Sequence, residues 1–403
     1  MRVLIVDLGS RLNRFGGQAR VAAEMYRKLR PRFETYYLGY ETEFLGEEKR
    51  TIMLGRGMFN LSLRRNKLSE MRIFRIAYNM LVVRRLGGLG MSKKELLRRV
   101  GEVRPEVVIA NSIQDIVLLQ YLKRHNFRFK SIYVDHGSLS TSIGGYFSRE
   151  GIPLTIGSGI NAHSVDSALR KFFNFFDVNV ALNSNQLSSM KKFTNKAVCI
   201  LNGVDIKVRR DMGRINAFKK KYGLDKGNFV ILYLGRLFDR QKNVSTLIRA
   251  FKGMQGDSLR LLIVGEGPSL EEYRELAGAD KRIIIDTKTK GDPVTFVYQV
   301  SDLFVLPSHW EGFSLTVIEG AVHHLPLLLS DQACVPDLRK SGVGKISSFD
   351  ADDADGLRKL MLRYHNDKGM RKRAIAVSQR IAKKFTLRRM LEQYSKLINS
   401  ISD

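Results

Sequence analysis

The sequence predicts an α/β protein made of two Rossmann-like, doubly wound domains facing a cleft. Three observations predict it. Short, continuous apolar runs alternate with helical patterns along most of the chain, as in βαβ units. The alternation restarts after a basic stretch, Asp205–Gly227. The length of 403 residues suits two cores better than one.

The first series opens with an apolar strand, Arg2–Leu8, then a loop holding Gly16 and Gly17. A helix follows from Gln18 to Leu29, with Val21, Ala22, Met25 and Leu29 on one face. Thr35–Leu38, Glu106–Ala110, Ser131–Val134 and Val178–Leu182 read as further strands. Fully apolar strands imply a parallel sheet covered on both faces. The basic stretch holds a short helix near Ala217–Tyr222. Strands then recur at Phe229–Leu234, Leu259–Val264, Arg282–Ile285, Leu303–Leu306 and Leu327–Leu329, with a helix at Val244–Phe251. The tail, Met370–Ile401, reads as helical throughout.

Composition narrows the class. Hydrophobic residues at 44% and charged residues at 27% exclude a wholly disordered or collagen-like chain. Two cysteines, Cys199 and Cys334, exclude a disulfide framework and a four-thiolate zinc site, which points to the cytosol. Asp7 interrupts the first apolar run before a signal-peptide core can form, and no run approaches the roughly 18 residues of a membrane span. Lys+Arg 68 against Asp+Glu 40 gives a net charge of +28, which calls for a polyanionic partner. Residues 51–100 are especially basic, opposed only by Glu70 and Glu95, and Leu68–Leu86 has the pattern of a basic amphipathic helix suited to an anionic membrane surface. No zinc-finger, RNP or helix-turn-helix pattern supports a specific nucleic-acid partner.

The chemistry-bearing stretch is Leu303–Ala321, which reads strand, turn, helix. Ser314 stands at the N-cap of a helix from Leu315. Glu311 in the turn and Glu319 one turn into the helix can face the same crevice, with the first helical amides free for a diphosphate. Arg236 and Lys242 emerge beyond the carboxyl end of Phe229–Leu234, where a phosphate clamp belongs. Gly265 and Gly267 form a glycine turn that lacks the third glycine of a dinucleotide fingerprint.

These motifs recur in a known order: Gly16-Gly17, Asp135-His136-Gly137, Asn202-Gly203-Val204-Asp205, Gly235-Arg236 with Lys242-Asn243, Gly265-Glu266-Gly267-Pro268, and Pro307-Ser308 through Glu311-Gly312-Phe313 to Glu319. In that order the chain resembles the GT-B retaining glycosyltransferases of family four, the glycosyl transferases group one. The resemblance implies an acceptor-binding domain over 1–203, a nucleotide-sugar domain over 204–380, and a last helix, 381–403, crossing back to the first domain. It implies that Arg236 and Lys242 neutralise the donor diphosphate without a metal or cofactor. Glu319 would accept from the ribose hydroxyls, and Glu311 would face the donor sugar beside the amides of Phe313, Ser314 and Leu315. Gly16, Gly17 and Gly265 would let backbone approach the donor, and His136 would contact the sugar. Two departures stand out: His323-His324 follow Glu319 where small residues are usual, and Asp337 replaces the glutamate after Pro336.

The implied activity is retaining transfer of a hexose from a UDP- or GDP-sugar to a lipid-linked or polysaccharide acceptor. The chain would be cytoplasmic and peripheral on the inner face of the cell membrane, with the Gly/Ser-rich loop 137–162 at the acceptor site. A sugar-nucleotide epimerase or phosphorylase, a basic nucleic-acid-binding protein and a silent scaffold are the alternatives. Retention of Arg236, Lys242, Glu311 and Glu319 together argues for transfer.

Overall fold

In a computed structural model the described residues are 1–9, 16–40, 45, 50–54, 91–136, 162–289 and 295–402. They fall into two compact units, Met1–Ile200 with Leu391–Asp403, and Leu201–Met390.

The first unit runs β1 (Arg2–Asp7), α1 (Gly17–Leu29), β2 (Glu34–Gly39), β3 (Thr51–Met53), α2 (Lys93–Val103), β4 (Val107–Ala110), α3 (Asp115–Arg124), β5 (Lys130–Asp135), α4 (Ala162–Phe175), β6 (Val178–Ala181), α5 (Ser184–Lys191) and β7 (Ala197–Cys199). Its described strands form one parallel sheet in the order β3-β2-β1-β4-β5-β6-β7. Val3 to Val6 are all fully buried, so both faces of β1 are covered, as an uninterrupted apolar strand requires. One face packs on Leu118, Leu122, Phe172, Phe173 and Phe176, with Tyr133 edge-on to Phe172 at 5.0 Å.

The second unit continues with α6 (Met212–Tyr222), β8 (Phe229–Leu234), α7 (Asp239–Lys242), α8 (Val244–Lys252), β9 (Leu259–Val264), α9 (Leu270–Ala277), β10 (Ile283–Asp286), α10 (Thr295–Gln299), β11 (Leu303–Leu306), α11 (Leu315–Val322), β12 (Leu327–Ser330), α12 (Val335–Lys340), β13 (Ser347–Phe349), α13 (Ala354–Asn366), α14 (Lys368–Lys384) and α15 (Leu387–Ser402). Its sheet is again parallel, in the order β10-β9-β8-β11-β12-β13. In both sheets the winding reverses beside the first strand, which defines a doubly wound fold with a switch point.

The tail is not helical throughout. It breaks at Phe385-Thr386, because Val204 pairs with that segment: the Val204 amide donates to the Phe385 carbonyl at 3.2 Å and Leu387 donates back to Val204 at 3.0 Å. Gly203 has a steric reason here, since a Cβ on it would lie 2.2 Å from the Thr386 carbonyl oxygen. α14 belongs wholly to the second unit, where the Ser378 hydroxyl donates to the Leu325 carbonyl at 2.6 Å. α15 begins in the second unit and joins the first from Leu391, where Ser395 accepts from Arg32 at 3.0 Å. The helix expected at Ala217–Tyr222 starts earlier, at Met212, where the Asp211 side chain caps it. The helix expected over 68–86, most of the basic segment 51–100, and the loop 137–161 lie outside the described residues.

Candidate functional site

In the second unit the switch point lies between β8 and β11, and ligands of such sheets bind beyond the carboxyl ends of the strands there. The turns leaving those two strands are tied by four bonds. The Gln241 carbonyl accepts from the His309 amide at 2.8 Å, and the Gln241 side chain donates to the Trp310 carbonyl at 3.2 Å. Asn243 donates to the Pro307 carbonyl at 3.2 Å, and Lys242 Nζ donates to Glu311 Oε1 at 2.5 Å. Asn243 ends α7 and starts α8 in a left-handed conformation, φ 52°, which asparagine tolerates better than most residues.

Glu311 is only 8% exposed, and its Oε1 also accepts from the Ser308 hydroxyl at 2.7 Å. Lys242 is therefore held mostly buried against the carboxylate. Arg236 differs: it is exposed, with its guanidinium 5.5 Å from the Phe238 ring centre. The expected two-cation clamp thus consists of one buried, paired cation and one surface cation.

The glycine turns have a packing reason. Gly265 has φ 152°, and a Cβ there would lie 1.9 Å from the Gly235 carbonyl oxygen; one on Gly267 would lie 2.1 Å from that of Leu237. The two turns meet backbone to backbone, the Leu237 amide donating to the Glu266 carbonyl at 2.8 Å. Gly265 therefore serves contact between turns.

Ser314 occupies the N-cap position of α11, but its side chain makes no capping bond and pairs with Thr316 at 2.9 Å instead. Its amide donates to Cys334 Sγ at 3.2 Å, so the thiol covers the amide expected to meet a donor. Burial pushes the Cys334 thiol well above its ordinary range. Phe313 is buried against Phe385, and its carbonyl accepts from the Asn202 side chain at 2.8 Å. Leu315 is 9% exposed. Glu319 Oε2 accepts from the Tyr298 hydroxyl at 2.6 Å, and the Tyr298 ring stacks on His323, 5.1 Å and 7° apart. Burial pushes His323 down to about 4, so it is neutral at pH 7.

The first unit holds a polar cluster at its own switch point. Asp115 accepts from the amides of Leu8, Asn111 and Ser112, each at 2.8 Å, and from the Ser112 hydroxyl at 2.6 Å. It staples the turns after β1 and β4, while burial and then the Asp7 charge push its carboxyl up to about 8. The sequence reading missed this residue; the signal was the capping-box spacing of Ser112 and Asp115. Asn111 donates through Nδ2 to the Val6 carbonyl at 3.2 Å, which turns Oδ1 toward His136 Nε2, 3.3 Å away. An amide oxygen only accepts, so the proton sits on His136 Nε2 and Nδ1 carries the lone pair. Burial pushes His136 down to about 4. Gly16 takes the N-cap position of α1 at φ −74° and Gly17 opens the helix, so Gly16 needs no left-handed backbone. Among the described residues there is no cluster of three potential metal ligands, and no helix is long and apolar enough to cross a membrane.

Residues 214–380 match the family described as glycosyl transferases group 1. Over 154 residues the chain is 28% identical to the Staphylococcus aureus capsular polysaccharide biosynthesis glycosyltransferase CapM, covering 37% of this chain and 40% of CapM. Over 145 residues it is 30% identical to the Escherichia coli UDP-Gal:alpha-D-GlcNAc-diphosphoundecaprenol alpha-1,3-galactosyltransferase, covering 34% and 37%. The chain thus spans well under half the length of these relatives. Among solved structures, sucrose-phosphate synthase from Thermosynechococcus elongatus superposes with a TM-score of 0.74 at 16% identity, over 100% of this chain and 99% of that one. Anabaena HepE in complex with UDP-glucose superposes with a TM-score of 0.70 at 15% identity, over 99% and 100%. The fold is that of the GT-B glycosyltransferases.

Proposed function

We propose that the chain, whose residues 214–380 match the family described as glycosyl transferases group 1, moves a hexose from a UDP- or GDP-sugar to a lipid-linked or polysaccharide acceptor at the cytoplasmic membrane face. The observation that carries this reading is the buried Lys242–Glu311 pair at the switch point of the second sheet. An ammonium has three donors, so Lys242 can keep Glu311 and still bond a phosphate oxygen. With exposed Arg236 and the first amides of α11 it would stabilise the departing nucleoside diphosphate, with no metal in the step. Glu319, oriented by Tyr298, is assigned to the ribose hydroxyls.

Glu311 faces the donor sugar in this reading but is a poor nucleophile, because Lys242 and Ser308 both bind the same carboxylate oxygen. Retention then follows from same-face attack: the acceptor oxygen bonds the anomeric carbon on the side from which the diphosphate oxygen departs. The acceptor's proton passes to that phosphate. His136, with Nδ1 as an acceptor, is assigned to a sugar hydroxyl. UDP is favoured as the nucleotide by the UDP-glucose complex of HepE, and a lipid-linked acceptor by the name of the Escherichia coli relative.

Thermal stability in the presence of UDP, GDP and ADP tests the reading. One diphosphate, at about 100 times its dissociation constant, should stabilise the chain by roughly 2.7 kcal/mol. No shift with any nucleotide would remove the donor site and the proposal with it.

A further inference from the structure

Among the described residues four large apolar side chains are exposed, and two of them, Val208 at 47% and Met212 at 54%, stand close together in sequence. Cations flank them in sequence: Lys207, Arg209, Arg210 and Arg214 in the same stretch, and Lys219–Lys221 further on, in the last turn of α6. The acids within 205–221 are Asp205 and Asp211. Asp211 is committed, accepting from the Arg214 amide at 3.0 Å and pairing with Arg214 Nε at 3.3 Å. The side chains of Lys207, Arg209 and Arg210 make no ion pair or hydrogen bond with any described residue.

The exposure is not forced by the fold. α6 anchors through Ile215 and Phe218, each 6% exposed, and Phe218 meets Phe296 edge-on at 5.1 Å. The helix has satisfied its inward face, which leaves Val208 and Met212 facing water beside unpaired positive charge.

We propose that residues 207–221 are a contact surface for an anionic lipid bilayer, with Val208 and Met212 entering the headgroup region between the cations. Aliphatic side chains interleaved with Lys and Arg are what a membrane interface takes up. Single-stranded nucleic acid asks instead for aromatic platforms on which bases stack, and none of the exposed residues here is aromatic. The proposal uses no residue of segment 51–100 or of the donor site, so it stands whether or not the donor reading does.

Sedimentation with phosphatidylcholine vesicles, with and without phosphatidylglycerol, tests this. Each cation near an anionic surface contributes roughly fivefold, so Lys207→Gln/Arg209→Gln/Arg210→Gln should lose on the order of 100-fold in affinity for the anionic vesicles. Val208→Ser/Met212→Ser should lose about tenfold, and its remaining binding should be more salt-sensitive. Both variants should melt like the wild type, which shows that loss of binding is not loss of fold. Wild-type vesicle affinity in the triple variant would overturn the proposal. So would an unchanged affinity in Val208→Ser/Met212→Ser together with RNA binding that the triple variant loses, since that pattern marks a nucleic-acid surface.

Discussion

Lys242 and Glu311 carry the proposed chemistry, and both are nearly shut away from water, with side chains 14% and 7% exposed. Removing one member of such a pair leaves the other charge in a poorly solvating interior, which costs about 3–5 kcal/mol. Lys242→Ala should therefore lower stability by about 3 kcal/mol and also abolish diphosphate binding. Lys242→Ala/Glu311→Gln should recover most of the stability and none of the binding. Glu311→Gln alone leaves the cation unopposed, so a nucleoside diphosphate should bind at least as tightly as to the wild type while turnover falls. Urea unfolding and calorimetric titration of the four proteins check this cycle. Equal loss of diphosphate affinity in Glu311→Gln and Lys242→Ala would make the pair a structural bridge. Both residues were visible from their motifs, but their pairing was not, because they lie 69 positions apart and meet only through the neighbouring β8 and β11. Cys334 over the Ser314 amide and Tyr298 on Glu319 were also invisible, since neither residue type marks its role outside its packing.

Elements were legible where one strong pattern covered them. Phe229–Leu234, Leu259–Val264 and Leu303–Leu306 are strands end to end, because apolar runs broken only by Arg260, between glycine and polar turns, leave little alternative. The three-residue strands β3, β7 and β13 were missed, being too short for a periodic signal. The break at Phe385-Thr386 has its cause in Val204, far away in the chain. Gly265 was legible as a turn residue, yet its duty needs the second turn, the one at Gly235. That duty is testable. Gly265→Ala meets a carbonyl oxygen at 1.9 Å as well as an unfavourable φ of 152°, so it should destabilise by about 3 kcal/mol. Gly342 also has a positive φ, 74°, but its Cβ would meet nothing within 4 Å. Gly342→Ala should cost only the left-handed penalty of about 1 kcal/mol. Equal values from chemical unfolding would mean that conformation alone explains both glycines.

For the whole molecule, acid acts on the fold by two routes. The net charge of +28 grows as pH falls, and this self-repulsion is screened by salt. The second route is local and resists salt: His136 in the first unit and His323 in the second are both held down at about 4 by burial, against an ordinary 6.5. The fold favours their neutral forms, so their contribution is complete above pH 6.5 and is lost as pH falls from there toward 4. At about 1.4 kcal/mol per pH unit, each histidine contributes at most about 3 kcal/mol, less where its ring is partly exposed. Asp115 pulls the other way. Its carboxyl, raised to about 8, favours the protonated form in the fold, so it adds stability as pH falls from 8 toward 4. Thermal melts between pH 8 and 4 in high salt should therefore differ between the wild type and His136→Gln/His323→Gln, the wild type losing stability more steeply below 6.5. Each single variant should account for part of the difference, because the two rings belong to separate cores. Parallel curves for wild type and double variant would assign the acid sensitivity to net charge, and adding salt would then flatten both.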